Sequence, residues 1–204
     1  MSLTCPVDLD KSRLRQEISA VYTRVAVGPD GEFHFHRGPD YAVRVLGYDR
    51  QELDQLPADV TARFAGIGNP HAIAPLRVGA TVLDVGCGAG MDLLLAARHV
   101  GPGGMAIGVD MTEPMRACAI AGAVACDLTN VNVRCGEATH LPVEDASIDV
   151  VISNGVLNLV PQKELALAEI RRVLKPGGRV QIADITLHQG LSEAASRDID
   201  LWAG

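Results

Sequence analysis

The chain is poor in aromatic residues and has no concentration of positive charge. Aromatic residues make up only 3% of its 204 positions, too few to build a platform on which successive bases stack. The formal net charge is −7, and no block of Lys or Arg interrupts the acidic composition. A nucleic-acid-binding surface needs such a basic stripe to neutralise phosphates. We therefore expect no nucleic-acid partner.

Long apolar runs and paired cysteines are also missing. No stretch reaches the roughly eighteen apolar residues that a membrane span needs, and the N-terminus lacks the pattern of a secretory signal. The cysteines are odd in number and form no CxxC pair: Cys5, Cys87, Cys118, Cys126 and Cys135. This favours free thiols over disulfides or a zinc site. We expect a cytoplasmic protein with no membrane partner and no metal.

Apolar residues account for 48% of the chain, and from Gly79 onward they follow a regular order. Apolar strand runs at 81–85, 105–109, 131–135, 149–153 and 179–185 alternate with helical patterns at about 92–100, 113–124 and 166–174. Such alternation is typical of an α/β fold with a mostly parallel sheet. We therefore predict a Rossmann-like, doubly wound domain over 79–204, with a Pro-Gly-Gly run at 176–178 ending its last helix.

Residues 1–78 are predicted to form a separate N-terminal cap with helices and a hairpin. A first helix is indicated by one apolar face, made of Leu14, Ile18, Val21 and Tyr22. Alternation over 33–36 predicts the end of a strand, and 41–46 predicts a short helix. Asp49 and Glu52 resemble a capping box that opens another helix, and a further helix would begin near Pro57 and end at Gly66.

The segment after the first predicted strand has the composition of a ligand-binding loop. It reads Gly86-Cys87-Gly88-Ala89-Gly90 and leads into a helix, so a ligand could touch the backbone and the free N–H groups of the helix start. A dinucleotide fingerprint would need its third glycine at Met91, which disfavours a nicotinamide cofactor. Asp110 ends the next strand, where a carboxylate can accept hydrogen bonds from ribose hydroxyls. A plain tight turn is the alternative interpretation of these glycines.

Four motifs in this order resemble the class I S-adenosylmethionine-dependent methyltransferases. They occupy 82–90, 108–111, 137–150 and 173–178, so the resemblance extends over about 79–185. It implies S-adenosyl-L-methionine as the cofactor and methyl transfer to a small molecule by in-line displacement. Sheets of this class carry two more strands after the fifth, whereas 186–204 has room for one helix. We therefore expect the final strands to be missing, through truncation or because a partner supplies them, and the oligomeric state stays open.

The resemblance also implies roles for individual residues. Asp84 would hold the methionine amino group, while Asp110 would bind the ribose. The loop residues that would contact the methionine and ribose are Gly86, Cys87, Gly88 and Gly90. The residues that would surround the adenine are Met111, Glu137 and Ala138. Ser153 and Asn154 would face the methionine end, and Tyr22 would either cover the cofactor or belong to the core. The sequence indicates no particular catalytic residue. If the acceptor needs a general base, the available imidazoles are His34, His36, His71 and His140.

Within that class the chain is most similar to the arsenite methyltransferases, through the stretches 66–70, 108–112, 136–143 and 153–159. That family binds trivalent arsenic through thiolates, which suit a soft metalloid. Two of its cysteine positions are occupied here by Ile67 and Gly155, and a third falls beyond Gly204. The acceptor therefore stays open between arsenite and another O, N, C or S nucleophile. A non-catalytic S-adenosylmethionine-binding protein is the remaining alternative.

Overall fold

The computed structural model describes residues 10–29 and 31–186, which contain a sheet of five parallel strands with helices around it. The strands are β1 (Thr81–Val85), β2 (Met105–Asp110), β3 (Val131–Cys135), β4 (Ile148–Asn154) and β5 (Leu174–Ala183), in the spatial order β3-β2-β1-β4-β5. This order confirms the predicted Rossmann-like, doubly wound fold. It reverses direction at β1 and β4, which is where such sheets bind ligands.

In the described residues, four α-helices of the N-terminal cap and one 3-10 helix (Pro70–Ala72) precede the sheet. The α-helices are α1 (Lys11–Val27), α2 (Gly38–Arg44), α3 (Arg50–Leu53) and α4 (Ala58–Ala62). Three helices follow in the α/β part: α5 (Met91–Val100), α6 (Glu113–Ala125) and α7 (Lys163–Val173). The central strand β1 is buried on both faces because α5 covers one side and α7 the other. The cap packs against the outer side of α5, so α5 is enclosed between sheet and cap. The predicted domain boundary at residue 79 stays a prediction.

The register of the strands aligns their carboxyl ends. Val85, the last residue of β1, pairs with Val109 of β2 and with Ser153 of β4. Asp110 of β2 pairs with Cys135 of β3. The segments that leave β1, β2, β3 and β4 therefore meet at one edge of the sheet, which is the edge where the predicted site residues lie.

Some local predictions were wrong. Residues 33–36 form no strand, because the rings of Phe33 and Phe35 lie 5.5 Å apart and turn toward the same cluster under α1. The part of the cap that the structure describes therefore contains no hairpin. The helix starting after Pro57 ends at Ala62 with Arg63 as its C-cap, well before Gly66.

The fifth strand, predicted at 179–185, extends from Leu174 to Ala183. It starts at Leu174, directly after α7, because Leu174 already pairs with Ile148 of β4 ahead of a β-bulge. The Pro-Gly-Gly run therefore lies within the strand rather than ending the helix. Most of the helix predicted for 186–204, like Cys5, lies outside the described residues. Among the helices in the described ranges, none is long and apolar enough to cross a bilayer.

Candidate functional site

A cavity lies at the carboxyl ends of β1, β2 and β4, between the sheet edge and the cap. Its sheet side is formed by the glycine-rich loop and by the segments after the strands. Its cap side is formed by α1 and by the chain that follows α4. Every residue predicted to bind the cofactor, except Ser153, lines this cavity: Tyr22, Asp84, Gly86, Cys87, Gly88, Gly90, Asp110, Met111, Glu137, Ala138 and Asn154.

The glycines of the loop serve two different purposes. Gly86 and Gly90 have φ values of +74° and +98°, and both are tightly packed. A Cβ at Gly86 would clash with the side chain of Val156, and one at Gly90 would come within 2.9 Å of the Ala119 Cβ. Gly88 also has a positive φ, +51°, yet no atom lies within 4 Å of where its Cβ would be. Gly86 and Gly90 are therefore required by close packing around the loop, whereas Gly88 leaves room for a ligand.

Asp110 fixes the loop relative to β2. Its Oδ2 accepts a hydrogen bond from the Gly88 N–H at 2.9 Å, and its Oδ1 accepts one from the Thr112 N–H at 2.8 Å. Burial raises the pKa of this carboxyl, and the two backbone hydrogen bonds oppose that rise. Each oxygen keeps a further lone pair, so the residue can accept from ligand hydroxyls while it holds the loop.

Asp84 is the least satisfied polar group of the cavity. Its side chain is only 3% exposed, and its Oδ2 has no hydrogen-bond partner in the described protein. Burial, followed by the charges of Asp92 and Asp110, raises the pKa of Asp84 well above its ordinary value. Because buried polar atoms are normally hydrogen-bonded, this oxygen is suited to a donor or cation supplied by a ligand.

The far end of the cavity is closed by α1. Arg15 Nη2 lies 2.7 Å from Glu137 Oε2, so the helix is tied to the residue predicted to bind the adenine. Tyr22 lines the cavity and also stacks on Phe35, with the two ring centroids 6.1 Å apart. It therefore packs against an aromatic neighbour and lines the cavity, and its contact with the cofactor stays a prediction. Burial, followed by the charge of Asp110, raises the pKa of Tyr22 to about 12, which keeps the phenol neutral.

Ser153 and Asn154 are adjacent in β4 but lie in different surroundings. Ser153 is fully buried and donates through Oγ to the Val85 carbonyl at 3.2 Å, so its predicted place in the cavity was wrong. Successive side chains of a strand point to opposite faces, so only Asn154 reaches the cavity. Its Oδ1 accepts from the N–H groups of Ile67 at 2.8 Å and Gly68 at 3.1 Å.

Several residues line the cavity although the sequence analysis did not predict them to belong to the site. Leu14, Arg15 and Ile18 of α1 line the cavity, and the apolar face that predicted the helix was the available signal. Asp92, in the first turn of α5, lines it too and accepts a hydrogen bond from the hydroxyl of Tyr48 at 2.7 Å. These two residues are 44 positions apart, and no local pattern indicates their contact.

The positions that the resemblance marks as arsenic-binding lie side by side. A Cβ at Gly155 would be 3.4 Å from Cγ1 of Ile67, so the two positions adjoin, with the apolar side chain of Ile67 beside Gly155. Of the cysteines in the described residues, Cys87 lines the cavity, whereas Cys118, Cys126 and Cys135 lie elsewhere. Burial, with the charges of Asp84 and Asp110, raises the pKa of Cys87 well above its usual value, so it is a thiol rather than a thiolate.

The histidines considered as bases do not line the cavity. His34 and His36 are exposed, and the His36 ring stacks on Tyr41 at 5.0 Å. His140 is exposed as well, while the side chain of His71, 8% exposed, lies next to Asp92. Over 10–29 and 31–186, no group of three or more His, Cys, Asp or Glu side chains is arranged to hold a metal ion.

The chain is similar in sequence to known methyltransferases. Residues 76–203 match the family model described as a methyltransferase domain. An arsenite methyltransferase of Halobacterium salinarum is 45% identical over 159 residues, covering 78% of this chain and 40% of that protein. A nocamycin O-methyltransferase of Saccharothrix syringae is 39% identical over 104 residues, covering 51% of this chain and 37% of that protein.

Among solved structures, an arsenic(III) S-adenosylmethionine methyltransferase of Chlamydomonas reinhardtii superposes with a TM-score of 0.65 and 37% identity. The match covers 72% of this chain and 51% of that one. The chain thus spans less than half the length of both curated relatives named above.

The fold and the match to the family model together show that the chain belongs to the methyltransferase domain family. Within it, the chain is related to the arsenite methyltransferases. S-adenosylmethionine is the cofactor that this family implies, and the residues present fit it. The unpartnered oxygen of Asp84 suits the amino group, Asp110 suits the ribose, and Gly88 leaves space beside both.

Proposed function

We propose that the protein transfers a methyl group from S-adenosylmethionine to a small-molecule acceptor. The observation that carries the proposal is the cavity in which Asp84, Asp110 and Glu137 are brought together at the carboxyl ends of successive strands. Three carboxylates at these places match the amino, ribose and adenine groups of one cofactor. The family membership supports the same reaction.

When bound, the cofactor supplies an electrophilic methyl group on a positively charged sulfur. The protein contributes binding and alignment, because an in-line displacement depends chiefly on how the two reactants are held. Asp84 would accept from the amino group of the cofactor. Asp110 would accept from the ribose, while its hydrogen bonds from the Gly88 and Thr112 N–H groups hold the loop in place. Leu14 and Ile18 line the cavity on the cap side, where their apolar side chains would help to exclude water from the bound cofactor.

Two classes of acceptor are supported by different observations. Trivalent arsenic is favoured by the relatives, whose names state that substrate. An organic nucleophile is favoured by the Ile67–Gly155 contact, which places apolar atoms where the resemblance implies thiolates. Such an acceptor would resemble the substrate class in the name of the O-methyltransferase relative.

The experiment begins with calorimetry of S-adenosylmethionine and S-adenosylhomocysteine binding to the purified chain. Formation of S-adenosylhomocysteine is then followed with arsenite plus a thiol and, separately, with a panel of oxygen, nitrogen, carbon and sulfur nucleophiles. Turnover with either set supports the proposal and identifies the acceptor class. Tight binding without turnover on both sets would instead support a non-catalytic cofactor-binding protein.

The contact between positions 67 and 155 allows a sharper test of the acceptor. The double variant Ile67→Cys/Gly155→Cys should gain affinity for phenylarsine oxide of about tenfold or more over either single variant, because two adjacent thiolates chelate one arsenic. The single variants are matched controls, since each adds one thiol. Equal affinities in all three variants would contradict the placement of these positions as a pair.

A further inference from the structure

Asp92 is a buried carboxylate of the cavity that the roles assigned so far leave unused. It lies in the first turn of α5, directly after the glycine-rich loop, and is only 6% exposed. It lines the cavity and accepts a hydrogen bond from Asn154, so it lies at the end where the methionine part of the cofactor is expected. A negative charge is favoured at this position because it adjoins the N-terminus of a helix.

Three side chains surround the carboxyl group of Asp92. The Tyr48 hydroxyl donates to its Oδ1 at 2.7 Å, and the Asn154 amide donates to its Oδ2 at 3.0 Å. His71 Nε2 lies 3.4 Å from the same Oδ1. Each oxygen of this carboxyl group thus accepts a hydrogen bond from a neutral side chain.

The oxygens of Asp92 are engaged by protein, which distinguishes it from Asp84. Asp84 has an oxygen with no partner and is therefore placed to receive a hydrogen bond from the ligand. Asp92 acts on a ligand mainly through its charge, which in a dry cavity extends beyond contact distance. The same charge, after burial, raises the pKa of the Tyr48 hydroxyl and so keeps that hydroxyl a donor.

The cations near the cavity are already paired with other acids. Arg15 is paired with Glu137 at the adenine end, and Arg63 is paired with Asp59 in the cap. The methionine end therefore has two carboxyl groups, Asp84 and Asp92, against one imidazole, His71, and so has an excess of acidic over basic groups. This excess suits a ligand that carries more than one positive charge at that end.

We propose that Asp92 determines the preference for S-adenosylmethionine over S-adenosylhomocysteine, by placing a second negative charge beside the sulfur. The inference rests on the proposed cofactor and deepens it. The two ligands share the amino group that Asp84 receives, and they differ by the positive charge on sulfur. Methyl transfer removes that charge, so the product loses an attraction that the substrate had and leaves more readily.

The test measures the dissociation constants of both ligands by calorimetry for the full chain and three variants. Asp92→Asn should weaken S-adenosylmethionine binding roughly tenfold more than S-adenosylhomocysteine binding, as expected for one charge interaction at intermediate dielectric. Asp84→Asn should weaken both ligands by similar factors, because it contacts the group they share. Tyr48→Phe removes a hydrogen bond but keeps the charge, so it should leave the ratio of the two constants unchanged.

An Asp92→Asn protein that binds both ligands with the wild-type ratio would overturn the inference and leave the proposed function intact. So would a Tyr48→Phe variant that shifts the ratio as much, since the effect would then come from structure rather than charge. If the wild-type chain binds neither ligand, the proposed function fails together with the inference. Should Asp92→Asn not fold, Asp92→Ala/Tyr48→Phe removes donor and acceptor together, and the same selective loss is expected.

Discussion

The two walls of the cavity are built by different means. On the sheet side, Asp84 and Asp110 stand at the ends of paired parallel strands, and backbone hydrogen bonds set their positions. On the cap side, α1 contributes Leu14, Ile18 and Tyr22 to the cavity wall and is joined to Glu137 by the exposed ion pair of Arg15. The difference teaches that a change on the sheet side should disturb fold and cofactor together, whereas one on the cap side should disturb cofactor affinity alone.

The largest effect is expected from Gly90→Ala, on the sheet side. The new Cβ would lie 2.9 Å from that of Ala119 with φ at +98°, so strain and overpacking together should cost about 3 kcal/mol or more of unfolding free energy. Gly88→Ala is the matched control, with positive φ but open space, and should cost about 1 kcal/mol while abolishing cofactor binding. Denaturant unfolding and calorimetry measure the two quantities; equal stability losses would contradict the division of roles.

Asp110→Ala should have the next largest effect. It leaves the N–H groups of Gly88 and Thr112 without their acceptor and removes the expected ribose contact. Affinity for S-adenosylhomocysteine should fall by about a hundredfold, as for the loss of a charged hydrogen-bonding group. Calorimetry is the measurement, and Asp54→Ala, at an exposed position of the cap, is the control. A loss below threefold would show that the loop does not depend on this carboxylate.

Asp84→Asn should separate stability from binding within the sheet side. Because burial raises the pKa of Asp84 in the folded protein, its contribution to stability is full below its unfolded pKa and is lost as pH rises through the folded pKa. At pH 7 without ligand, the variant should therefore be more stable than wild type by about 1–2 kcal/mol. The gain should vanish near pH 4. Thermal unfolding at both pH values measures it, and a gain that persists at pH 4 contradicts the charge explanation.

Arg15→Ala, on the cap side, should have the smallest effect. Its ion pair is solvent-exposed, with 47% of the arginine side chain accessible, so stability should change by no more than about 0.5 kcal/mol. Cofactor affinity should fall about twofold to threefold because the helix is held less firmly over Glu137. Arg13→Ala, exposed on the same helix, is the control and should change neither quantity. A large loss of stability would erase the contrast between the two walls.

The sheet side was predictable because its signals are local. The first and third strands have the predicted bounds, and the loop glycines and Asp110 occupy the predicted places. The place of the Ser153 side chain was not predictable, because the sequence does not reveal which face of β4 each side chain takes. The side chain of the adjacent Asn154 lines the cavity instead.

The cap side was less predictable because its contacts are distant in sequence. The alternation at 33–36 fits a strand, yet the rings pack beneath α1 instead. Tyr48 and Asn154 both donate hydrogen bonds to Asp92, although they are separated from it by 44 and 62 positions in the chain. The Tyr48 contact depends on how the cap docks against α5. Only the tertiary structure brings such residues together.

The attachment of α1 has a consequence for turnover. The N-cap residue of this helix is Asp10, whose side chain accepts from the N–H groups of Ser12 and Arg13, and the helix is not part of the sheet. We expect a spent cofactor that leaves on this side to require movement of α1, while the five strands stay hydrogen-bonded. Substitutions in α1 should then change the rate of cofactor release without altering the geometry of the sheet side.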